Sequence, residues 1–245
     1  KEVRDKVDVL KRQQESGLTN EKIGTVSEFL DRWIADDVKL SREGHKTIHE
    51  YEDACTRYIK PYIGHVPLQK LTSVVCRQWQ GQMDRDGFSA NTRGKAMRDF
   101  NVALNVAIRQ DLIVKNPLFG VPKPKVVKRE IHPITADQCQ ILFRECQIHR
   151  LGDVIILATM TGLRKAEIFA LQWEDIDFVK RVLVLQRSLE EVQGRLRLKI
   201  PKTKAGRRAV ALDAIAIEAI ENRRKKAKDE GFEIANGGII FCNKI

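Results

Sequence analysis

Apolar residues recur at helical spacing through the first half of the chain. Val26, Phe29, Leu30, Trp33 and Ile34 keep to one stripe of a 3.6-residue period. Thr25-Val-Ser-Glu28 ahead of them has the form of a capping box, in which a hydroxyl and a carboxylate satisfy N–H groups left open at a helix start. A second helix is predicted over about 45–60, with Ile48, Tyr51, Cys55, Tyr58 and Ile59 inward and Pro61 and Gly64 closing it. A third follows Thr72 and carries Val75, Trp79 and Met83. A fourth follows Ser89, with Met97, Phe100, Leu104 and Ile108 on one face and Lys95, Arg98, Asn101, Asn105 and Arg109 on the other. Four amphipathic helices joined by short loops predict a small bundle. In front of it, residues 1–16 predict a mixed-charge helix with a thin stripe of Val3, Val7 and Leu10, ended by Gly17.

The pattern then breaks. Pro117, Pro122, Pro124 and Pro133 exclude a regular helix between 114 and 133. Lys115, Lys123, Lys125, Lys128 and Arg129 make the same stretch basic, so it predicts an extended linker able to follow a phosphate backbone. A second capping box, Thr135-Ala-Asp-Gln138, opens a helix with Ile141, Leu142 and Cys146 inward. A more apolar helix covers 154–160 and is stopped at Gly162, and another is predicted from Arg164 to Trp173. After it the period falls to two. Val182–Leu185 predicts a buried strand, Arg195–Ile200 alternates strictly, Lys202–Gly206 predicts a hairpin turn, and Arg207–Leu212 predicts the returning strand. Asp213 caps a helix to about Asp229, and Gly238–Cys242 predicts a short closing strand. The chain thus divides at 1–22, 23–114, 115–133 and 134–245, and its class is mainly α with a small β component.

Charge changes the picture more than composition does. The net charge of +11 favours a polyanionic partner, because each phosphate met by Lys or Arg releases condensed counterions. Five cysteines stand apart with no Cys-x-x-Cys pair, which predicts free thiols in a reducing cytoplasm. The apolar runs are too short to span a membrane. His45 and His49 have one metal-ligand spacing, but nothing accompanies them, so they predict solvated helix side chains and no metal site.

The densest chemistry lies in Thr161-Gly-Leu-Arg-Lys-Ala-Glu-Ile-Phe-Ala-Leu-Gln-Trp-Glu-Asp-Ile-Asp177. It ends one helix at Gly162 and sets Arg164 at the start of the next, where outward N–H groups and a guanidinium fork suit a phosphate. Glu167, one turn on, is placed to orient that guanidinium, and Ile168 and Leu171 to anchor the helix. This stretch closely resembles the first-arginine motif of the tyrosine recombinases, the phage-integrase family. The resemblance extends over about 24–113, similar to the family's helical SAM-like core-binding domain, and about 134–245, similar to the first part of its α+β catalytic domain. A second similarity is Ile200-Pro-Lys-Thr-Lys-Ala-Gly-Arg-Arg-Ala-Val-Ala-Leu212, where the family carries a hairpin lysine that protonates the leaving 5′ oxygen; Lys202 matches it by position, with Lys204 as runner-up. From Arg181 to Arg208 there are nine Lys or Arg and two acids, Glu190 and Glu191.

The resemblance implies attack of a tyrosine hydroxyl on a DNA phosphate to give a 3′-phosphotyrosyl bond, with no metal and no cofactor. Implied catalytic groups are Arg164 and Lys202, supported by Glu167. Expected DNA contacts are Lys95, Arg98, Arg109, Lys123, Lys125, Lys128, Arg129, Lys204, Arg207 and Arg208. The partner is a double-stranded core recombination site, with self-association on it, in a cytoplasmic protein of bacterial or phage origin. The family's His-x-x-Arg, later His or Trp, and nucleophilic Tyr are not among these residues: the last histidine is His149, and the tyrosines are Tyr51, Tyr58 and Tyr62. The first residue is Lys1, and the helix at 1–16 resembles the end of an arm-binding domain, so both ends are expected to be cut. The expected role is a DNA-binding part of an integrase, inactive alone. The alternative is a naturally truncated, non-catalytic regulator of recombination. A type IB topoisomerase relative is disfavoured by the separate bundle, and a metal-dependent nuclease by the lack of an acidic cluster.

Overall fold

The computed structural model describes residues 24–40, 44–127, 130, 132–200, 206–232, 234–235 and 237–241. The helix expected at 1–16 lies outside them. The chain divides into two compact units, Lys1–Arg129 and Glu130–Ile245. No helix among the described residues is long and apolar enough to cross a membrane.

Among the described residues, the regular elements of the first unit are all helical. α1 (Val26–Arg32) starts at the expected capping box: Thr25 Oγ1 accepts from Glu28 N at 3.3 Å, and Glu28 Oε2 accepts from Thr25 N at 2.7 Å. It runs on as a π-helical turn, Trp33–Val38. The second helix departs from expectation. α2 (His45–Asp53) passes into a π-helical segment, Ala54–Ile59, and then into α3 (Lys60–Ile63), so Pro61 lies inside the helical run and not after it. A proline is tolerated in a first turn, where its missing N–H has no partner to lose, and the widened turn creates such a start at Lys60. α4 (Ser73–Arg85) is capped by Thr72 and α5 (Ala90–Arg109) by Ser89, both as expected. Val26, Phe29, Leu30, Trp33, Ile34, Cys55, Ile59, Trp79, Met83, Met97, Phe100 and Leu104 are buried in one cluster. Ile48, Tyr51, Tyr58, Val75 and Ile108 pack against it while partly exposed. Trp79 sets its ring edge-on to Phe100 at 5.6 Å and donates from Nε1 to Tyr58 O at 2.7 Å, which satisfies the indole without breaking the apolar core.

The second unit mixes helix and strand. α6 (Ala136–Cys146) has the expected capping box at Thr135 and Gln138, yet of its apolar face only Cys146 is buried; Ile141 is exposed. α7 (Gly152–Thr161) stops at Gly162, which takes φ 63° and ψ 21°. Only glycine holds that left-handed cap without a Cβ penalty. α8 spans only Lys165–Ile168, where a helix to Trp173 was expected. The reason is tertiary. Leu171 O accepts from Ile240 N at 2.9 Å and Trp173 N donates to Gly238 O at 3.0 Å, so the 237–241 segment takes groups that a longer helix would need. That segment forms a single bridge, Gln172 to Ile239, in place of the expected strand.

β1 (Ile176–Asp177), β2 (Val182–Leu185) and β5 (Arg208–Ala211) make one antiparallel sheet in the order β1-β2-β5. β2 buries Leu183 and Leu185 and leaves Val184 exposed, so it is one-sided and not the doubly buried strand expected. β3 (Ser188–Val192) and β4 (Arg195–Lys199) form a separate ribbon. The pairing differs from expectation: Arg195–Lys199 pairs with Ser188–Val192, and Arg208–Ala211 pairs with Leu185–Val182. The overlooked signal is Gln193-Gly194. Both residues have positive φ, 51° and 73°, as a two-residue hairpin turn requires. α9 (Ala214–Asp229), capped by Asp213, packs along α7. Leu157, Ile168, Leu171, Leu183, Leu185 and Ile220 centre the core. Cys55, Cys76, Cys139 and Cys146 are free thiols.

Candidate phosphate clamp and nucleic-acid interface

The chain leaves Gly162 through buried Leu163 into Arg164, whose extended backbone (φ −71°, ψ 149°) makes it the N-cap of α8. This turn aims the Arg164 side chain outward, and it is 78% exposed. Glu167, one turn on, is buried. Its carboxylate accepts from Arg164 N at 2.9 Å and Arg164 Nη1 at 3.0 Å. It also takes a two-pronged ion pair from Arg208, Nη1 and Nη2 each at 3.0 Å. Four donors on two oxygens account for the carboxylate's capacity. The Arg208 fork, against the cost of burial, holds the Glu167 carboxyl down at about 2. Glu167 in turn pushes the Arg208 guanidinium up.

Sequence reasoning placed Glu167 beside Arg164, and the two are bonded. It placed Arg208 among DNA contacts and had no signal for its ion pair. Here β5 carries Arg208 opposite Leu185, and its fork is engaged on Glu167. The cluster sums to one net positive charge, and its most exposed part is Arg164.

A second buried carboxylate was also missed. Asp175 accepts from Arg187 Nη1 at both carboxylate oxygens, Oδ1 at 2.8 Å and Oδ2 at 3.0 Å, and from the backbone N–H of Gln172 at 2.9 Å. Arg187 Nη2 reaches Glu174 as well. Because Arg187 sits between β2 and β3, this pair ties the base of the β3–β4 ribbon to the turn that follows the Arg164 motif. Arg207 is exposed just before β5. Lys202, Lys204, Lys128 and Arg129 lie outside the described residues.

In the bundle, the polar face of α5 carries Lys95, Arg98 and Arg109. Lys95 Nζ is held by Asp99 at 2.9 Å and lies 3.7 Å from Glu50, whereas Arg98 and Arg109 are exposed. Beside them runs a groove of about 850 Å³, lined by Lys95, Arg98, Asn101, Phe119 and Lys123. Lys123 and Lys125 are exposed on the extended stretch after the 3₁₀ turn Pro117–Gly120. The three tyrosines belong to this unit. Tyr51 meets Trp33 edge-on at 5.1 Å and Tyr58 meets Phe88 at 5.4 Å. Tyr62 Oη donates to Asp86 at 2.7 Å. Burial first, and then the Asp86 carboxylate, push its phenol up to about 12.

Residues 25–83 match the family described as phage integrase, N-terminal SAM-like domain. Over 239 residues the chain is 26% identical to a tyrosine recombinase XerC-like protein of Caldanaerobacter subterraneus subsp. tengcongensis, a similarity covering 90% of this chain. The chain is thus similar in sequence to the tyrosine recombinases, the phage-integrase family. Its fold is that of solved integrases: the Tn1549 transposon integrase, in complex with a circular intermediate DNA, superposes with a TM-score of 0.76 over 90% of this chain and 72% of that one, at 23% identity. A lambda integrase dimer bound to a core site gives 0.62 over 86% and 71%, at 20% identity. The chain spans 60% of the XerC-like relative's length, and 44% and 48% of two other integrases. A helical SAM-like bundle followed by an α+β unit is therefore a recombinase fold, mainly α with a small β component.

Proposed function

We propose that these 245 residues bind double-stranded DNA at a recombination core site, hold the reacting phosphate with Arg164 and Lys202, and do not cut it unaided. The observation that carries this reading is the Arg164 guanidinium, outward and exposed, steered by a buried carboxylate that Arg208 also holds at both oxygens. A guanidinium held in this way meets an incoming phosphate with little loss of rotamer freedom, and Glu167 cannot compete for a proton at neutral pH. Lys202 supplies the ammonium that stabilises charge and gives a proton to the leaving 5′ oxygen. Arg98, Arg109, Lys123, Lys125, Lys128, Arg129, Lys204 and Arg207 supply backbone contacts, and the +11 charge draws the duplex in. Lys95 and Arg208 contribute less directly, since carboxylates already hold them. The lambda integrase dimer on its core site supports self-association on DNA for this chain too.

Strand cleavage needs an attacking hydroxyl and a second arginine with its His or Trp partner. The tyrosines here are Tyr51, Tyr58 and Tyr62, and the one whose phenol is pushed up to about 12 is bonded to a carboxylate, the reverse of an activated nucleophile. The chain incubated with a nicked suicide duplex is expected to give non-covalent complexes only. A covalent protein–DNA band on a denaturing gel, lost when the three tyrosines become phenylalanine, overturns the inactivity. For binding, neutralising about 6 phosphates gives a log–log salt slope near −5 in fluorescence anisotropy. A flat titration removes the electrostatic basis of the reading.

A further inference from the structure

Asn101 and Asn105 lie one turn apart on the polar face of α5, and Asn116 faces both from the loop beyond the helix. Asn116 Oδ1 accepts the backbone N–H of Leu118 at 2.9 Å. A backbone N–H only donates, so this bond decides which end of the Asn116 amide is oxygen. Its Nδ2 must then point the other way, and it donates to Asn101 Oδ1 and to Asn105 Oδ1, each at 2.9 Å. Both helix asparagines are thereby forced to turn their oxygens onto buried Asn116 and their NH2 groups away from it. Asn105 is exposed and Asn101 half-exposed, and neither NH2 has an acceptor among the described residues. Asn101 also lines the groove shared with Arg98 and Lys123.

An asparagine with both ends free can read adenine by donating to N7 and accepting from N6. With the oxygen engaged, only the donor remains, and the matching surface carries acceptors alone. Phosphate oxygens are such a surface, and the neighbouring Arg98 and Arg109 suit the same anion. We propose that Asn116 is a positioning residue that locks Asn101 and Asn105 as outward, donor-only contacts to the phosphate backbone of duplex DNA. The inference rests on the DNA-binding reading above and adds to it two neutral contacts and the residue that orients them.

The test uses the whole chain and a labelled duplex of arbitrary sequence, since the contact is to the backbone. Asn101→Ala and Asn105→Ala are each expected to weaken binding about tenfold, the range for a hydrogen bond to a charged group. The salt slope should stay as in wild type, because a neutral donor releases no counterion, whereas Arg98→Ala lowers the slope by about one. In ¹⁵N spectra the NH2 signals of Asn101 and Asn105 should shift when DNA is added and those of Asn116 should stay protected. Asn116→Asp presents only acceptors, so the two helix amides should flip inward, gain exchange protection and cease to respond to DNA. Unchanged affinity in both alanine variants, or DNA-responsive amides in Asn116→Asp, overturns the proposal while the DNA-binding reading stands. No binding by the wild-type chain overturns the reading and the proposal together. Melting curves separate these outcomes from misfolding, and the alanines sit at helix positions that favour them.

Discussion

In the bundle the largest fully buried side chains are Trp79, Phe29 and Phe100, and its buried polar residues are Gln80, Asp99 and Asn116. In the second unit the corresponding side chains are aliphatic, Leu157, Ile168, Leu171 and Leu183, and the buried polar residues among the described ones, Asp153, Glu167, Asp175 and Arg223, are all charged. Each is paired. Asp153 accepts from Lys226 at 2.8 Å, and Arg223 donates to Ile240 O and Glu230 at 3.0 Å. Glu167 and Asp175 hold Arg208 and Arg187. Apolar burial is non-directional and indifferent to pH. A buried ion pair adds little net stability, because desolvation offsets the attraction, but it fixes geometry. The bundle is therefore built for strength of packing, and the second unit spends part of its interior on orientation, most of all where Arg164 is steered.

The largest effect that sharpens this contrast is in the bundle. Trp79→Ala should cost about 3–5 kcal/mol, since it removes a fully buried ring, its edge contact and its indole hydrogen bond. Denaturant unfolding measures it, and a loss under about 1 kcal/mol would mean the aromatic core is not what holds the helices.

Next comes acid. Glu167 has its folded value depressed from 4.5 to about 2, so its contribution is complete above 4.5 and is lost as pH falls towards 2. The shift corresponds to roughly 3 kcal/mol. Region-resolved hydrogen exchange should show the second unit loosening over that window, and Glu167→Gln should remove this group's part of the pH dependence. A variant with the wild-type acid profile would show that Glu167 is not the titrating group.

A smaller effect belongs to the turn between β3 and β4. Gly194→Ala should cost about 1–2 kcal/mol, because φ 73° is left-handed. Exchange protection lost along Ser188–Val192 and Arg195–Lys199 would locate the damage. The smallest change in stability is expected from Arg164→Ala. Its side chain is mostly solvated, so its ion pair is worth at most about 1 kcal/mol, while DNA affinity should fall. A large drop in melting temperature with unchanged affinity would make Arg164 a structural arginine and erase the contrast between the two units.

Much of the architecture was readable from neighbouring residues. The capping boxes at Thr25 and Thr135, the caps at Thr72, Ser89 and Asp213, the stop at Gly162 and the inward stripe from Val26 to Ile34 all appear where the local pattern puts them. Each depends on contacts within one or two turns, which a sequence displays directly. Tertiary structure decided the rest. Pro61 could stay inside a helical run only because a widened turn precedes it. α8 ended at Ile168 because residues 238 and 240 take backbone groups around it. β4 chose β3 over β5, and Ile141 stayed exposed on a face that periodicity alone would bury. Arg208 reached Glu167 across 41 positions, and Asn116 reached Asn101 and Asn105 across 15 and 11. Helix caps and stripes are set by bonds between neighbours, whereas the direction of a guanidinium or an amide is set by whatever the fold brings opposite it.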